Sequence, residues 1–191
     1  SGLRAFDDQV IDLREDVFER RQAARRARVA ALEQALRDEE HPRVRQDLLI
    51  LIDSLQEDLS GARLQWDHLL PYHDLHGLVF ASFNALLDPR NDPERYPAAL
   101  ERLKRYAGRT EGSAPITELA RARTRERFDV EGLLGPYVGE LENDLDNGPR
   151  YLAALAPLFE RAGLTGWEAD LETLRGQLEA YADWLRSGPI R

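Results

Sequence analysis

The stretch Pro42–Leu70, PRVRQDLLILIDSLQEDLSGARLQWDHLL, decides the fold of this chain. Its apolar side chains recur at intervals of three and four residues: Val44, Leu48, Leu51, Ile52, Leu55, Leu59, Ala62, Trp66, Leu69 and Leu70. This spacing is typical of an α-helix, which would be roughly 40 Å long at about 1.5 Å per residue. Leu49 and Ile50 add apolar surface on other faces, so neighbours are expected on several sides. We therefore predict one long helix over about 43–70, at the centre of the fold and more buried than any other.

The segments on either side of this helix also show helical spacing. We predict helices over 12–39, 75–87, 93–106, 115–128, 137–145 and from 149 onward, and a last helix that starts after Thr165. In that last helix Thr165 and Glu168 form a capping box, and apolar residues follow at intervals of three and four. No segment shows the alternation that is typical of a strand. The chain is therefore predicted to be all-α, a multi-helix antiparallel bundle around the long central helix.

Length and composition restrict the function classes. With 191 residues the chain can hold one good-sized core, so we predict a single domain over 1–191. A formal net charge of −9 argues against nucleic acid as the main partner, and the arginine-rich run Arg20–Arg28 is interpreted as a solvated helix face. No apolar run is as long as a membrane span, so no membrane partner is expected, and the lack of cysteine excludes disulfides and thiolate chemistry. The chain opens Ser1-Gly2 and contains no methionine, which indicates processing, a cleaved tag or a piece of a longer protein, either cytoplasmic or exported.

His73 and His76 are the weaker site candidates. They lie three residues apart with Asp74 between them, a spacing that can place two imidazoles on one metal ion. No third ligand is evident, and histidines at the start of a helix often cap or bridge backbone groups instead. An acidic run followed by Asn147-Gly148 suggests a calcium loop, but the glycine and the last glutamate are not at the positions that an EF-hand requires. We therefore expect no metal ligands and no cofactor in this chain.

The helix predicted over 115–128 carries the main site candidates, Arg123 and Arg127. At 100° per residue both fall in the middle of the apolar face of this helix, whereas Arg121 and Arg125 point away from it. Two buried arginines need partners, because an unpaired buried charge is very costly. Both are therefore predicted to be substantially buried and to bind anionic groups.

Two kinds of anionic partner remain open for these arginines. One is an internal ion network with helix carboxylates, for example Glu140 or Asp144. The other is a bidentate clamp in which the guanidinium groups bind the carboxylate of a ligand. Arg123 and Arg127 are therefore candidates for either ion-pair formation or ligand binding.

Four runs of residues make the chain similar to a known family. They are Leu69-Leu70-Pro71-Tyr72, Arg105-Tyr106-Ala107-Gly108, Pro115–Arg127 (PITELARARTRER) and Leu133-Leu134-Gly135-Pro136-Tyr137. With them the chain, from about Phe6 to its end, closely resembles the bacterial family known as domain of unknown function 885. The resemblance implies a long helical protein related to the zinc peptidases of the gluzincin kind. In that family the metal motif, a His-Glu pair followed by Pro-Gly-His, lies in the C-terminal half.

This chain resembles only the N-terminal part of that family. None of its four histidines is followed by glutamate, so the resemblance assigns no zinc ligand and no catalytic residue to this chain. We therefore predict a non-catalytic helical domain that forms one wall of a substrate cleft in a metal-dependent peptidase. Zinc is expected only in the absent C-terminal half, and the partners would be that half or a second copy, with a peptide substrate in the cleft. The alternative is a stand-alone helical interaction module, or a carboxylate binder that uses Arg123 and Arg127, without enzymatic activity.

Overall fold

The described part of the chain is mainly helical, so the predicted all-α class is confirmed. The computed structural model describes residues 4–188, and the opening Ser1-Gly2 lies outside them. The described part contains no β-strand, two short 3-10 helices, Arg4–Phe6 and Pro93–Arg95, and seven α-helices. These are α1 Val17–Asp38, α2 Pro42–His68, α3 Leu75–Leu86, α4 Ala98–Tyr106, α5 Ile116–Arg125, α6 Val138–Arg161 and α7 Glu168–Arg186. Among the helices described, none combines the length and the apolar character that a bilayer span requires.

Backbone contacts divide the chain into two compact units. The first takes in the chain up to Leu13, the segment Leu70–Asp129 and the chain from Gly135 onward, and therefore contains α3 to α7. The second consists of Arg14–Leu69 and Val130–Leu134 and contains α1 and α2. The single domain expected over 1–191 stays a prediction.

An aromatic cluster lies within the core of the first unit. The ring of Phe83 in α3 packs against Phe159 of α6 and edge-on against Tyr106 of α4, with ring centroids 5.1 and 5.7 Å apart. Phe159 also packs against Trp167, which immediately precedes α7, with 5.5 Å between the centroids. Offset and edge-to-face contacts of this kind stabilise aromatic pairs beyond the area that they bury. The cluster therefore joins α3, α4, α6 and the start of α7.

Helix α6 is continuous where the sequence predicts two helices. Asn147-Gly148-Pro149 is typical of a helix end followed by a new start, yet Pro149 lies inside α6. A proline at this place costs one backbone hydrogen bond, and tertiary packing overrides the local preference. A Cβ placed on Gly148 would lie 3.2 Å from the imidazole ring of His76 in α3. Gly148 therefore allows α3 and α6 to approach closely and does not end a helix.

The last helix differs from its prediction only at its start. Helix α7 begins at Glu168, and its N-terminal cap is Trp167, whose side chain makes no capping hydrogen bond. The capping box predicted with Thr165 as the cap is therefore wrong. The predicted apolar stripe is buried as expected: Trp167, Leu171, Leu174, Leu178, Tyr181 and Leu185.

The second unit contains an antiparallel helical hairpin. Phe18, near the start of α1, stacks on Trp66, near the end of α2, with ring centroids 4.4 Å apart. At the closed end Arg45 donates a hydrogen bond to the carbonyl of Leu36 at 2.7 Å. Buried and half-buried side chains alternate at intervals of four and three residues, as in a coiled coil. They are Phe18, Gln22, Arg25, Val29, Leu32 and Leu36 in α1, and Leu48, Ile52, Leu55, Leu59, Ala62 and Trp66 in α2.

Helix α2 has the predicted length but not the predicted burial. Only Ile52 of its 27 residues is buried, whereas α6 and α7 bury seven residues each. The prediction that α2 is the most buried helix is therefore wrong. A helix paired with one other helix buries a single seam, so its apolar side chains outside that seam stay exposed. The most completely buried side chains belong to the first unit.

Two isoleucines of α2 test this assignment. Ile52→Ala should lower the free energy of unfolding by about 2–4 kcal/mol, because Ile52 is 6% exposed and its truncation leaves a cavity. Ile50→Ala is the matched control, and with Ile50 at 58% exposure it should change this quantity by less than about 0.5 kcal/mol. Urea denaturation followed by circular dichroism measures both. Equal losses would show that Ile50 is also buried.

Ion pairs attach the N-terminal segment to the first unit. Asp7 accepts two hydrogen bonds from the guanidinium of Arg95, at 2.6 and 2.8 Å. Asp8 pairs with Arg105 at 2.7 Å. The bond from Arg95 holds the pKa of Asp7 below its ordinary value, although burial opposes this shift. Asp7 is therefore ionised in the folded protein at neutral and mildly acidic pH.

Acid should weaken this attachment. A carboxylate whose pKa is lowered by folding stabilises the folded state fully above its ordinary pKa, here 3.8, and loses that contribution as the pH falls through the lowered value. We therefore expect Asp7→Asn to lower the melting temperature at neutral pH and to reduce the loss of stability below about pH 4. Calorimetry across this pH range measures both effects. Parallel pH profiles for the two proteins would contradict the expectation.

Candidate functional site

Four titratable side chains, Tyr72, Asp74, His76 and Asp144, lie near one another where the start of α3 meets α6, and we call them the Tyr72 cluster. The hydroxyl of Tyr72 donates a hydrogen bond to Asp144 Oδ2 at 2.9 Å. Asp74 caps α3 by accepting a hydrogen bond from the backbone N–H of Gly77 at 3.0 Å. A Cβ at position 77 would lie 2.1 Å from the Asp74 carboxylate, so glycine is required for this cap. Tyr72 and Asp74 thus both have partners within the fold.

Burial shifts the pKa values of three side chains in this cluster, Tyr72, Asp74 and His76. It raises the pKa of Tyr72, and the Asp144 carboxylate adds to the effect, so the phenol stays protonated and acts as a donor. Burial also raises the pKa of Asp74, against the opposing bond from Gly77. His76 is 5% exposed, and burial lowers its pKa despite the neighbouring Asp74. The imidazole of His76 is therefore neutral at pH 7.

The two candidate histidines take part in the packing around α3. His76 lies in the first turn of α3 with its ring against Gly148. The carbonyl of His73 accepts a hydrogen bond at 3.1 Å from the hydroxyl of Tyr181 in α7. Over residues 4–188, no three His, Asp or Glu side chains come together as a metal site would require. We therefore interpret the Tyr72 cluster as a half-buried polar contact between the start of α3 and α6, while the His73 carbonyl links the same region to α7.

Helix α5 places Arg123 in the interior and Arg127 beyond its end. Arg123 is 8% exposed, and its guanidinium pairs with Glu126, three residues later and 46% exposed. The Nε and Nη1 atoms of Arg123 are buried and donate no hydrogen bond to any residue that the structure describes. Arg127 lies two residues past the end of α5 and is only half-buried. Neither Glu140 nor Asp144, the carboxylates suggested from the sequence, is therefore the partner of Arg123.

The other two arginines of α5 pack on α7 and do not simply point into solvent. The guanidinium carbon of Arg121 lies 5.6 Å from the ring centroid of Trp184 and 5.9 Å from that of Tyr181. The guanidinium carbon of Arg125 also lies 5.6 Å from the Trp184 ring. Sequence reasoning missed this contact. The available signal was Trp184 itself, a large aromatic residue outside the apolar stripe of its helix, since such rings attract cations.

No family model, curated protein or solved structure matches this chain. The resemblance to the domain of unknown function 885 family therefore stays an expectation from the residues that carry it.

Proposed function

We propose that this chain is a non-catalytic helical domain, equivalent to the N-terminal, cleft-wall portion of the zinc-peptidase-like family that it resembles. One observation carries the proposal: the apolar collar of α2, by which we mean the five consecutive residues Leu48–Ile52. Leu49, Ile50 and Leu51 in this collar are 48%, 58% and 51% exposed. Large apolar side chains are also exposed elsewhere in the hairpin and over 128–138: Val44, Leu64, Leu69, Phe128, Val130, Leu134, Tyr137 and Val138.

The collar surrounds the helix. Consecutive helical residues point about 100° apart, so five of them cover every side of α2. Single exposed leucines are normal, whereas a helix segment that is apolar all round is typical of a helix enclosed by other chain segments. In the second unit α1 covers one seam, formed at the collar by Leu48 and Ile52. The other sides are suited to bury against a larger body, and the C-terminal half that carries the zinc motif is the partner that the resemblance implies.

An isolated domain of this kind should have no metal chemistry of its own. After chelation and reloading with zinc, elemental analysis should find far less than one equivalent of zinc per chain, and a peptide mixture should stay intact. The physical reason is the lack of a His-Glu pair and of a three-ligand group among the residues described. One tightly bound zinc that disappears in the His73→Ala, His76→Ala double variant would contradict this expectation.

A second candidate function is the binding of a ligand carboxylate at Arg123. The fold leaves two buried nitrogen atoms of this guanidinium, Nε and Nη1, without an acceptor among the described residues. The carboxylate that pairs with it belongs to Glu126, which lies three residues further along the chain and is 46% exposed. Glu126 therefore occupies a place that the carboxylate of a ligand could take by exchange. Replacing Arg123 by methionine separates this role from a structural one.

A further inference from the structure

Helix α5 has a second arginine face, formed by Arg121 and Arg125, one helical turn apart. Both guanidinium groups lie over the indole ring of Trp184 in α7, each with 5.6 Å between its central carbon and the ring centroid. Arg121 is held further by a hydrogen bond from its Nη2 to the carbonyl of Ala180. Arg125 is exposed, and Arg121 and Trp184 are half-buried, so this face is open to solvent. We call these three side chains the Trp184 site.

The Trp184 site concentrates positive charge that no carboxylate of the described residues neutralises. Within residues 4–188, neither guanidinium forms a salt bridge with a carboxylate. Many arginines elsewhere do have a carboxylate partner: Arg4, Arg63, Arg90, Arg95, Arg105, Arg109, Arg123, Arg175 and Arg186. Two like charges at i and i+4 repel each other, and the face of one indole ring offsets this only in part. The chain has a net charge of −9, yet two arginines without a carboxylate partner among the described residues meet at one ring.

We propose that the Trp184 site binds an oxyanion, either the carboxylates of an acidic peptide or a phosphate group. A guanidinium has a planar fork of N–H donors that matches both anions through two hydrogen bonds. Two such groups one turn apart can hold one tetrahedral anion between them, or two neighbouring carboxylates. The indole ring contacts both guanidinium groups and favours an orientation of the two towards one ligand. This site is separate from Arg123, which lies on the opposite side of α5 and pairs with Glu126.

Titration calorimetry of the whole chain at low ionic strength tests the proposal with two probes. One arm uses inorganic phosphate and the other a tetraglutamate peptide. We expect saturable binding of at least one probe with a Kd below about 1 mM, weakened at least about tenfold by Arg125→Ala and by Arg121→Ala. Arg125→Lys keeps the charge but loses the planar fork, so its affinity should be intermediate. Tighter binding of the peptide would identify an acidic segment as the ligand. Tighter binding of phosphate would identify a phosphorylated segment as the ligand.

The matched control is Arg150→Ala. Arg150 is also an exposed arginine that lies over one aromatic ring, at 5.9 Å from Tyr151, and its removal changes the net charge equally. The affinity of this variant should stay within about twofold of the unmodified chain. If neither probe saturates below about 10 mM, or if Arg150→Ala and Arg125→Ala weaken binding equally, the proposal is wrong. Because Arg125 is exposed and makes no side-chain hydrogen bond within the described chain, its variants decide the question even if Arg121→Ala unfolds.

Discussion

Replacing Phe83 by alanine should lower the free energy of unfolding by about 3–5 kcal/mol, the usual range for a buried phenylalanine. Phe83 is 0% exposed and lies within the aromatic cluster of the first unit. The truncation removes its contacts with Phe159 and Tyr106 and leaves a cavity among three helices. Urea denaturation of the variant and of the unmodified chain measures the difference.

Phe128→Ala is the matched control, because Phe128 belongs to the same unit and is 41% exposed. Its expected change in the free energy of unfolding is within about 0.5 kcal/mol. A loss below about 1 kcal/mol for Phe83→Ala would show that the core does not depend on this ring.

Replacing Arg123 by methionine should instead raise the free energy of unfolding, by about 1–3 kcal/mol. The methionine side chain fills much of the same space and needs no hydrogen bonds. The substitution also removes a buried cation whose Nε and Nη1 atoms have no acceptor among the described residues. The carboxylate left behind, Glu126, is 46% exposed and can be solvated by water, so it does not become an uncompensated buried charge.

This sign distinguishes a ligand-binding arginine from a structural one. Removing an arginine that the fold needs would lower the free energy of unfolding. A decrease of more than about 1 kcal/mol for Arg123→Met would therefore identify a structural ion pair. If Arg123 binds a ligand carboxylate, the same variant should abolish that binding, and Glu126→Gln should strengthen it by removing the competing group. Arg150→Met, at an exposed arginine, controls for the change in charge.

The sequence was sufficient for features that depend on local periodicity. The stripe from Trp167 to Leu185 predicts the buried face of α7 correctly, because one helix face decides it. The inward position of Arg123 follows in the same way from its angle on α5. Its partner Glu126 could not be predicted from the sequence. Glu126 lies three residues further on, just past the last residue of α5, and the backbone at that helix end determines whether its side chain turns back towards Arg123.

Features that depend on distant segments were not predictable. The apolar stripe of α2 indicates which face is buried, but not how much of the helix its neighbour α1 covers. The break expected at Pro149 did not occur, because the contact of Gly148 with His76 joins residues that are far apart in the chain. The stacking of Arg121 on Trp184 likewise depends on which helix lies beside α5.

The size of the native protein tests the central claim most directly. If this chain is the N-terminal, cleft-wall portion of a zinc-peptidase-like protein, its apolar collar is covered by further chain in the complete molecule. An antibody raised against the chain should then detect, in the cells that make it, a product much larger than 21.8 kDa, the mass of these 191 residues. A native product of 21.8 kDa, with no larger species, would contradict the claim.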